Sequence, residues 1–341
     1  MLFLALGWAF LQLRVDYVLL TPGPAVDVAP MISIEGTPGR PAGSILLTTV
    51  ISDMDTTVPE LIQSKLTGRG EAMPKREFIP PSMSMEEYNR AIMEMMEESK
   101  TVAKIAALRQ MGYQVDATGE GALVQALLPG TLAEGILREG DVLVEVDGQQ
   151  IHAAPDLVNL VRRLKPGSMV SVKALRNNDL FETRVSTRES DTEPGIAVIG
   201  ILVKTHKFGS NLPVQIEIDS QNIGGPSAGL MFTLGIMDAM EGHVITAGHK
   251  VAGTGTISLD GAVGPVGGVG PKVIGAEEAG AEYFLSPSDN YEAAKLASKR
   301  IQVVPVATLG DAVSFLKSLQ PVQASPSVLS GPFELSLPAA A

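Results

Sequence analysis

A multidomain α+β protein is what the sequence predicts, and three observations predict it. The chain is 341 residues long, against about 100–200 for a typical domain, which favours two or three units. Hydrophobic residues make up 45% and charged residues 19%, enough apolar material for packed cores. Short β-branched runs alternate with helix-like stretches, and 35 Gly with 23 Pro supply the turns between them.

The net charge of −12 argues against a nucleic-acid partner, because neutralising phosphates needs a basic face. The absence of cysteine excludes disulfides, thiolate catalysis and Cys-based zinc sites. No motif calls for a metal or other cofactor.

Residues 1–13 are apolar apart from Gln12, with Arg14 and Asp16 just beyond. As a helix that run reaches about 20 Å, short of a bilayer core of about 30 Å. It also lacks the basic start and the small-residue cleavage site of a signal peptide. Residues 1–20 are therefore expected to be a partial transmembrane anchor with its beginning missing, leaving a single-pass protein at the cell membrane.

Residues 21–83 read as a β-rich region and connector. Thr21-Pro22-Gly23-Pro24 is a turn signal, Met31–Ile34 and Ser44–Ile51 are β-like runs, and 53–83 reads as irregular. Ser84-x-x-Glu87 fits a capping box and opens a helix over 84–112, with an apolar stripe at Met85, Tyr88, Ile92, Met95, Val102, Ile105 and Leu108.

Residues 113–190 form a separate module. Leu123–Leu127 reads as a strand, Leu132–Leu137 as a short helix, and Val142–Val146 as a strand closed by the tight Asp147-Gly148 turn. An amphipathic helix follows over Asp156–Leu164, then a strand over Met169–Leu175. This order resembles a PDZ domain, most clearly at Leu137-Arg138-Glu139-Gly140-Asp141-Val142-Leu143 and Val146-Asp147-Gly148. The resemblance implies binding of extended peptides beside a strand edge, with a carboxylate-capping loop that would fall at Gly112, Tyr113 and Gln114.

Glu193-Pro194-Gly195 marks a boundary, and 195–320 alternates strand-like with helix-like runs. Residues 321–341, rich in Pro, Ser and Ala, are expected to be a disordered tail.

The chemistry concentrates in this third region. Ser227 lies in Gly224-Gly225-Pro226-Ser227-Ala228-Gly229, just before the apolar run Leu230–Met240. Small neighbours at Gly225, Pro226 and Ala228 let a substrate backbone approach, and a helix N-terminus offers free N–H groups to a developing oxyanion. A serine there also caps helices, so the motif alone leaves both roles open. Gly225-x-Ser227-x-Gly229 satisfies the nucleophile-elbow pattern of α/β-hydrolases, which requires a histidine after the serine. Only His243 and His249 follow, and His243 stands just past the helix that Ser227 opens; His152 and His206 lie upstream. A histidine base is therefore poorly served.

Lysine is the common substitute, provided burial brings its pKa from about 10.4 to roughly 7–8. Lys272 carries the one charge in the fifteen residues Gly261–Gly275.

Gly225-Pro226-Ser227-Ala228-Gly229, Thr254-Gly255-Thr256-Ile257-Ser258-Leu259-Asp260-Gly261, Val263-Gly264-Pro265-Val266-Gly267-Gly268 and Lys272 together resemble the proteolytic domain of the Lon peptidases. The resemblance covers roughly 195–320 and implies a Lon-type α/β proteolytic domain. It assigns the nucleophile to Ser227, the base to Lys272 and a supporting role to Thr254. Gly224 stands where the family has an acidic residue, and Gly270-Pro271-Lys272 where it has Lys-Glu-Lys.

No Gly-x-x-x-x-Gly-Lys-[Ser/Thr] loop is present, so ATP-driven unfolding by this polypeptide is not expected. The order anchor, PDZ, Lon-type domain is similar to bacterial membrane-anchored PDZ peptidases. That similarity implies an ATP-independent endopeptidase facing outside the cytoplasm, cleaving exported or surface peptides and proteins, with a possible homo-oligomer. The competing expectation is a non-catalytic PDZ scaffold on a decayed peptidase fold.

Overall fold

The computed structural model describes residues 13–35, 43–79, 83–115, 117–190, 195–207 and 209–322. In chain order the main strands are β1 (Tyr17–Asp27), β2 (Ser44–Asp53), β3 (Glu71–Pro74), β4 (Ala122–Leu127), β5 (Val142–Val146), β6 (Met169–Arg176), β7 (Asp179–Ser186), β8 (Ile201–Thr205), β9 (Lys250–Gly253), β10 (Tyr283–Pro287) and β11 (Gln302–Val306). The main helices are α1 (Val58–Thr67), α2 (Met85–Gln110), α3 (Ala154–Arg162), α4 (Gly229–Met240), α5 (Val269–Glu278), α6 (Tyr291–Ala297) and α7 (Leu309–Ser318).

Two sheets carry the fold. The first has the order β11-β10-β9-β2-β1-β3, so both ends of the chain build it. β2, β9, β10 and β11 run parallel, while β1 is antiparallel to both its neighbours. Strand alternation sends successive residues to opposite faces. Ile45, Leu47, Val251 and Leu285 pack with α2, α4 and α7 on one face. Leu46, Ala252 and Phe284 pack with α5 and α6 on the other.

The second sheet has the order β7-β6-β5-β4-β8 and a core of its own, closed by α3. Its hairpins rest on residues that tolerate positive φ: Asp147 (46°) with Gly148 (79°), and Asn177 (52°) with Asn178 (72°). α2 bridges the two sheets. It starts at Ser84, whose Oγ accepts from Glu87 N at 3.2 Å while Ser84 N donates to Glu87 Oε2 at 2.8 Å.

Several expectations need correction. Tyr17–Leu20 are not the end of an anchor: they open β1, paired to β2 and β3, with Val18, Leu19 and Leu20 buried in the core. Residues 1–12 lie outside the described residues, as does the tail beyond 322. Among the described residues no helix is long and apolar enough to cross a membrane. The single-pass membrane location and the membrane contact through the N-terminus lose their ground.

Residues 21–83 are not a region apart, because β1, β2 and β3 are half of the first sheet. Within 53–83, α1 replaces the expected irregular chain. Thr57 N donates to Glu60 Oε2 at 2.7 Å at its start, and Gly68 closes it with φ at 66°. Residues 132–137 form turns rather than a helix, since Gly135 sits at φ 77°. β8, placed in the third region by the sequence, pairs with β4 as an edge strand of the second sheet, from Ile201↔Leu127 to Thr205↔Ala122.

Candidate active site

The approach to α4 is built by glycines. Gly225 takes φ 84°, a left-handed value that turns the chain into the single 3-10 turn Pro226–Ala228 ahead of the helix. Ser227 stands half-buried in that turn, at the end where backbone N–H groups lack intrahelical partners. α4 beyond it is buried through Gly229–Ala239. Its first turn therefore cannot shift without disturbing the core.

Lys272 enters from α5. Gly268, at φ 66°, precedes that helix, and Lys272 N donates to the Gly268 carbonyl at 3.2 Å. Lys272 is 3% exposed, among the apolar residues Val269, Pro271 and Val273. Its Nζ lies 2.8 Å from Ser227 Oγ and 3.0 Å from Thr254 Oγ1. Thr254 Oγ1 donates onward to the Ser227 carbonyl at 3.0 Å, which Gly255 N also reaches at 2.9 Å. Thr254 thus touches both partners and fixes the direction of each. A buried ammonium loses hydration, which favours the neutral amine that a base requires.

Two of the four histidines pair with carboxylates away from Ser227. His243 Nδ1 lies 3.0 Å from Asp238 Oδ2 at the far end of α4, about 18 Å along the axis from its start. His249 Nδ1 lies 2.7 Å from Glu282 Oε2. His152 is exposed, at the entry to α3. His206 follows β8, half-buried, with its N–H on the Gly121 carbonyl.

The residues expected to form the carboxylate loop lie at the end of α2. Gly112 (φ 90°) and Tyr113 close α2, donating to the carbonyls of Arg109 and Leu108 at 3.0 and 2.9 Å. The apolar groove of this sheet, about 600 Å³, lies instead between α3 (Leu157, Val158, Val161) and the segment Ala197–Val203. Gly112, Tyr113 and Gln114 do not line it.

Residues the sequence did not single out complete the surroundings. Ser99 of α2 donates to the Pro226 carbonyl at 3.1 Å, and Gly225 N donates to the Ile92 carbonyl at 2.9 Å. Glu98 accepts from Thr205 N at 2.8 Å; burial pushes its carboxyl up, and the Thr205 hydrogen bonds oppose that. Asn159 of α3 and Thr256 both crowd Gly264, where a Cβ would meet Asn159 Oδ1 at 1.8 Å and Thr256 Oγ1 at 2.3 Å. Only the spacing of Ser99 within the stripe Met95, Ser99, Val102 could have marked it as facing inward.

Residues 205–315 match the family model of the Lon protease (S16) C-terminal proteolytic domain, and residues 110–187 match that of the PDZ domain. The chain carries a Lon-type proteolytic domain and a PDZ domain. The Lon-type domain is of the serine-endopeptidase kind. Lon protease 2 of Bacillus subtilis (strain 168) is 32% identical over 142 residues, 42% of this chain and 23% of that protein. A Lon protease of Chloroflexus aggregans is 24% identical over 286 residues, 75% of this chain and 34% of that protein. The chain therefore spans about a third or less of the length of these curated relatives. A solved PDZ domain, from the SdrC-like protein of Listeria innocua, is 29% identical over 24% of this chain and 92% of its own, with a TM-score of 0.23. β1, β2 and β3 lie outside both matched ranges yet share a sheet with the Lon-type domain.

Proposed function

We propose that the protein is an ATP-independent endopeptidase that cleaves unstructured polypeptide with Ser227 as nucleophile and Lys272 as base. One observation carries this reading: the buried Lys272 Nζ lies 2.8 Å from Ser227 Oγ. The neutral amine takes the Oγ proton as Oγ bonds to the scissile carbonyl carbon. The backbone N–H groups of Ser227 and Ala228, in the Pro226–Ala228 turn, hold the resulting oxyanion. The tetrahedral adduct collapses, the C–N bond breaks, and the lysine ammonium returns its proton to the leaving amine. Neutral again, Lys272 deprotonates a water that hydrolyses the acyl ester and frees Ser227.

Thr254 acts in this scheme as an orienting residue, holding the amine on one side and the serine carbonyl on the other. Gly225, Pro226 and Ala228 form the backbone along which the substrate lies. The chain has no phosphate-binding loop motif, and the chemistry of the pair needs no nucleotide. The PDZ domain docks a segment of substrate in the groove beside Ala197–Val203.

The test is cleavage of casein without ATP by residues 13–341, beside Ser227→Ala and Lys272→Ala. Each substitution should lower kcat by at least about 10³-fold, as removal of a nucleophile or base does. Cleavage should rise toward mildly alkaline pH as the amine sheds its proton. Equal cleavage by all three proteins points to a contaminant and defeats the assignment; a profile flat from about pH 6 to 9 defeats the role of Lys272.

A further inference from the structure

Neighbouring residues on a helix point about 100° apart, so two in succession can hold two different bodies. Glu98 and Ser99 do this at the centre of α2. Ser99, 4% exposed, faces the Lon-type domain, where its Oγ donates to the Pro226 carbonyl at 3.1 Å. Gly229 leaves room for the approach: a Cβ there would sit 2.9 Å from Ser99 Oγ. Glu98 faces the PDZ domain. Its carboxylate accepts from Thr205 N at 2.8 Å and from Thr205 Oγ1. Thr205 Oγ1 in turn accepts from Ala154 N at 2.8 Å. Thr205 is the last residue of β8 and Ala154 the first of α3, so Glu98 grips the point where both walls of the PDZ groove converge.

The Ser99 contact matters because of where it falls. Pro226 has no N–H, and its carbonyl belongs to the peptide unit that carries the Ser227 N–H. That unit is planar and trans, so pinning the oxygen fixes the direction of the N–H on its opposite side. The Ser227 N–H is one of the oxyanion donors in the mechanism above. Gly225 N, held by the Ile92 carbonyl at 2.9 Å, fixes the other flank of Pro226 to the same helix.

We propose that Glu98 and Ser99 form a positioning link: Ser99 aligns the Ser227 peptide unit for oxyanion binding, and Glu98 ties that alignment to the junction of the PDZ groove walls. The link rests on the reading of Ser227 as nucleophile. A cavity of about 60 Å³ lies beside it, lined among others by Glu98, Ser99, Ala154, Val203, Pro226 and Thr256. That space admits the extra methyl of a threonine at position 99, so the hydroxyl can be restored in a conservative variant.

The test compares Ser99→Ala, Ser99→Thr and Glu98→Ala with the parent protein at full length. Two measurements are made: casein cleavage without ATP, with kcat and KM separated, and amide hydrogen exchange over residues 222–230. For Ser99→Ala, kcat should fall roughly tenfold with KM within about twofold, since the donor is misaligned while substrate contacts remain. The midpoint of its pH profile should not move, because Lys272 is untouched. Ser99→Thr should restore most of the lost rate. Both alanine variants should speed exchange over residues 222–230 and leave the core of α4 unchanged. An unaltered kcat in Ser99→Ala, or a Ser99→Thr protein as slow as Ser99→Ala, overturns the link. If the parent cleaves nothing, the peptidase reading fails by itself and exchange decides the link: faster exchange in both alanine variants upholds it, and unchanged exchange in either overturns it.

Discussion

The two sheets of this protein were assembled by opposite means. The PDZ sheet draws all its strands from one stretch, residues 122–205, with tight turns at Asp147-Gly148 and Asn177-Asn178. The Lon-type sheet takes β1, β2 and β3 from before that stretch and β9, β10 and β11 from after it. One domain is local in sequence and the other is closed only across an insertion. The difference decides which parts can stand alone, and which substitutions are felt in which half.

The sharpest way to break this comparison is with fragments. Residues 113–207 hold a complete sheet and core and should fold alone, giving a cooperative thermal transition and dispersed amide signals. Residues 205–315, the span of the Lon family match, lack β1, β2 and β3 and should not. A cooperatively folded 205–315 fragment would show that the N-terminal strands are an accessory.

Point variants give smaller effects, each in its own half. Asp141 is 1% exposed and holds Arg176 through two hydrogen bonds, at 2.8 and 2.7 Å, besides accepting from Arg138 N. Asp141→Ala removes the buried carboxylate that ties the Arg138 N–H to the Arg176 guanidinium, and should lower the stability of the PDZ domain although Arg176 keeps the Ile136 carbonyl. Gly275 of α5 lies so close to β1 that a Cβ would sit 2.5 Å from the Gly23 carbonyl oxygen. Gly275→Ala should cost the Lon-type domain about 1–3 kcal/mol by forcing helix and strand apart. Denaturant midpoints followed by hydrogen exchange separate the halves; equal loss in both halves from either variant would contradict the division.

The smallest expected effect is one of pH. The hydrogen bond to Glu282 raises the pKa of His249 above its ordinary value. A raised histidine contributes stability that is fully present below its unfolded value and lost as pH rises through the folded one. The pair joins the entry of β9 to the entry of β10, so the Lon-type domain alone should lose a little stability as pH rises above about 6.5. His249→Gln should flatten that slope, measured by thermal midpoint.

The same contrast governs how much could be read from the sequence. Local chemistry was legible. Ser84 with Glu87 announces the start of α2, and Asp147-Gly148 marks a tight turn because few other pairs tolerate positive φ. The juxtaposition of Ser227 with Lys272 was an expectation of motif order, and the two atoms stand at hydrogen-bonding distance. What needed the fold was harder. Residues 17–20 look like the end of a greasy anchor because an inner strand, buried on both faces, is as apolar as a membrane segment. Thr57-x-x-Glu60 carries the same capping signal as Ser84-x-x-Glu87, yet the Pro, Gly and charged residues around α1 make its stretch read as irregular. Ser99 gives no sign in sequence that its hydroxyl meets a carbonyl 127 positions away.

The parallel pairing of β2 with β9 also dictates a schedule for the growing chain. Ser44 leaves the ribosome long before its partner Lys250 is made. At about 5–20 residues per second, a gap of about 200 residues is a wait of roughly 10–40 seconds. Throughout it, the early hairpin has an unsatisfied, apolar flank, while the inserted module can already be complete. The nascent polypeptide must therefore be shielded during translation, and a stall between residues 205 and 250 would leave its aggregation-prone edge bare.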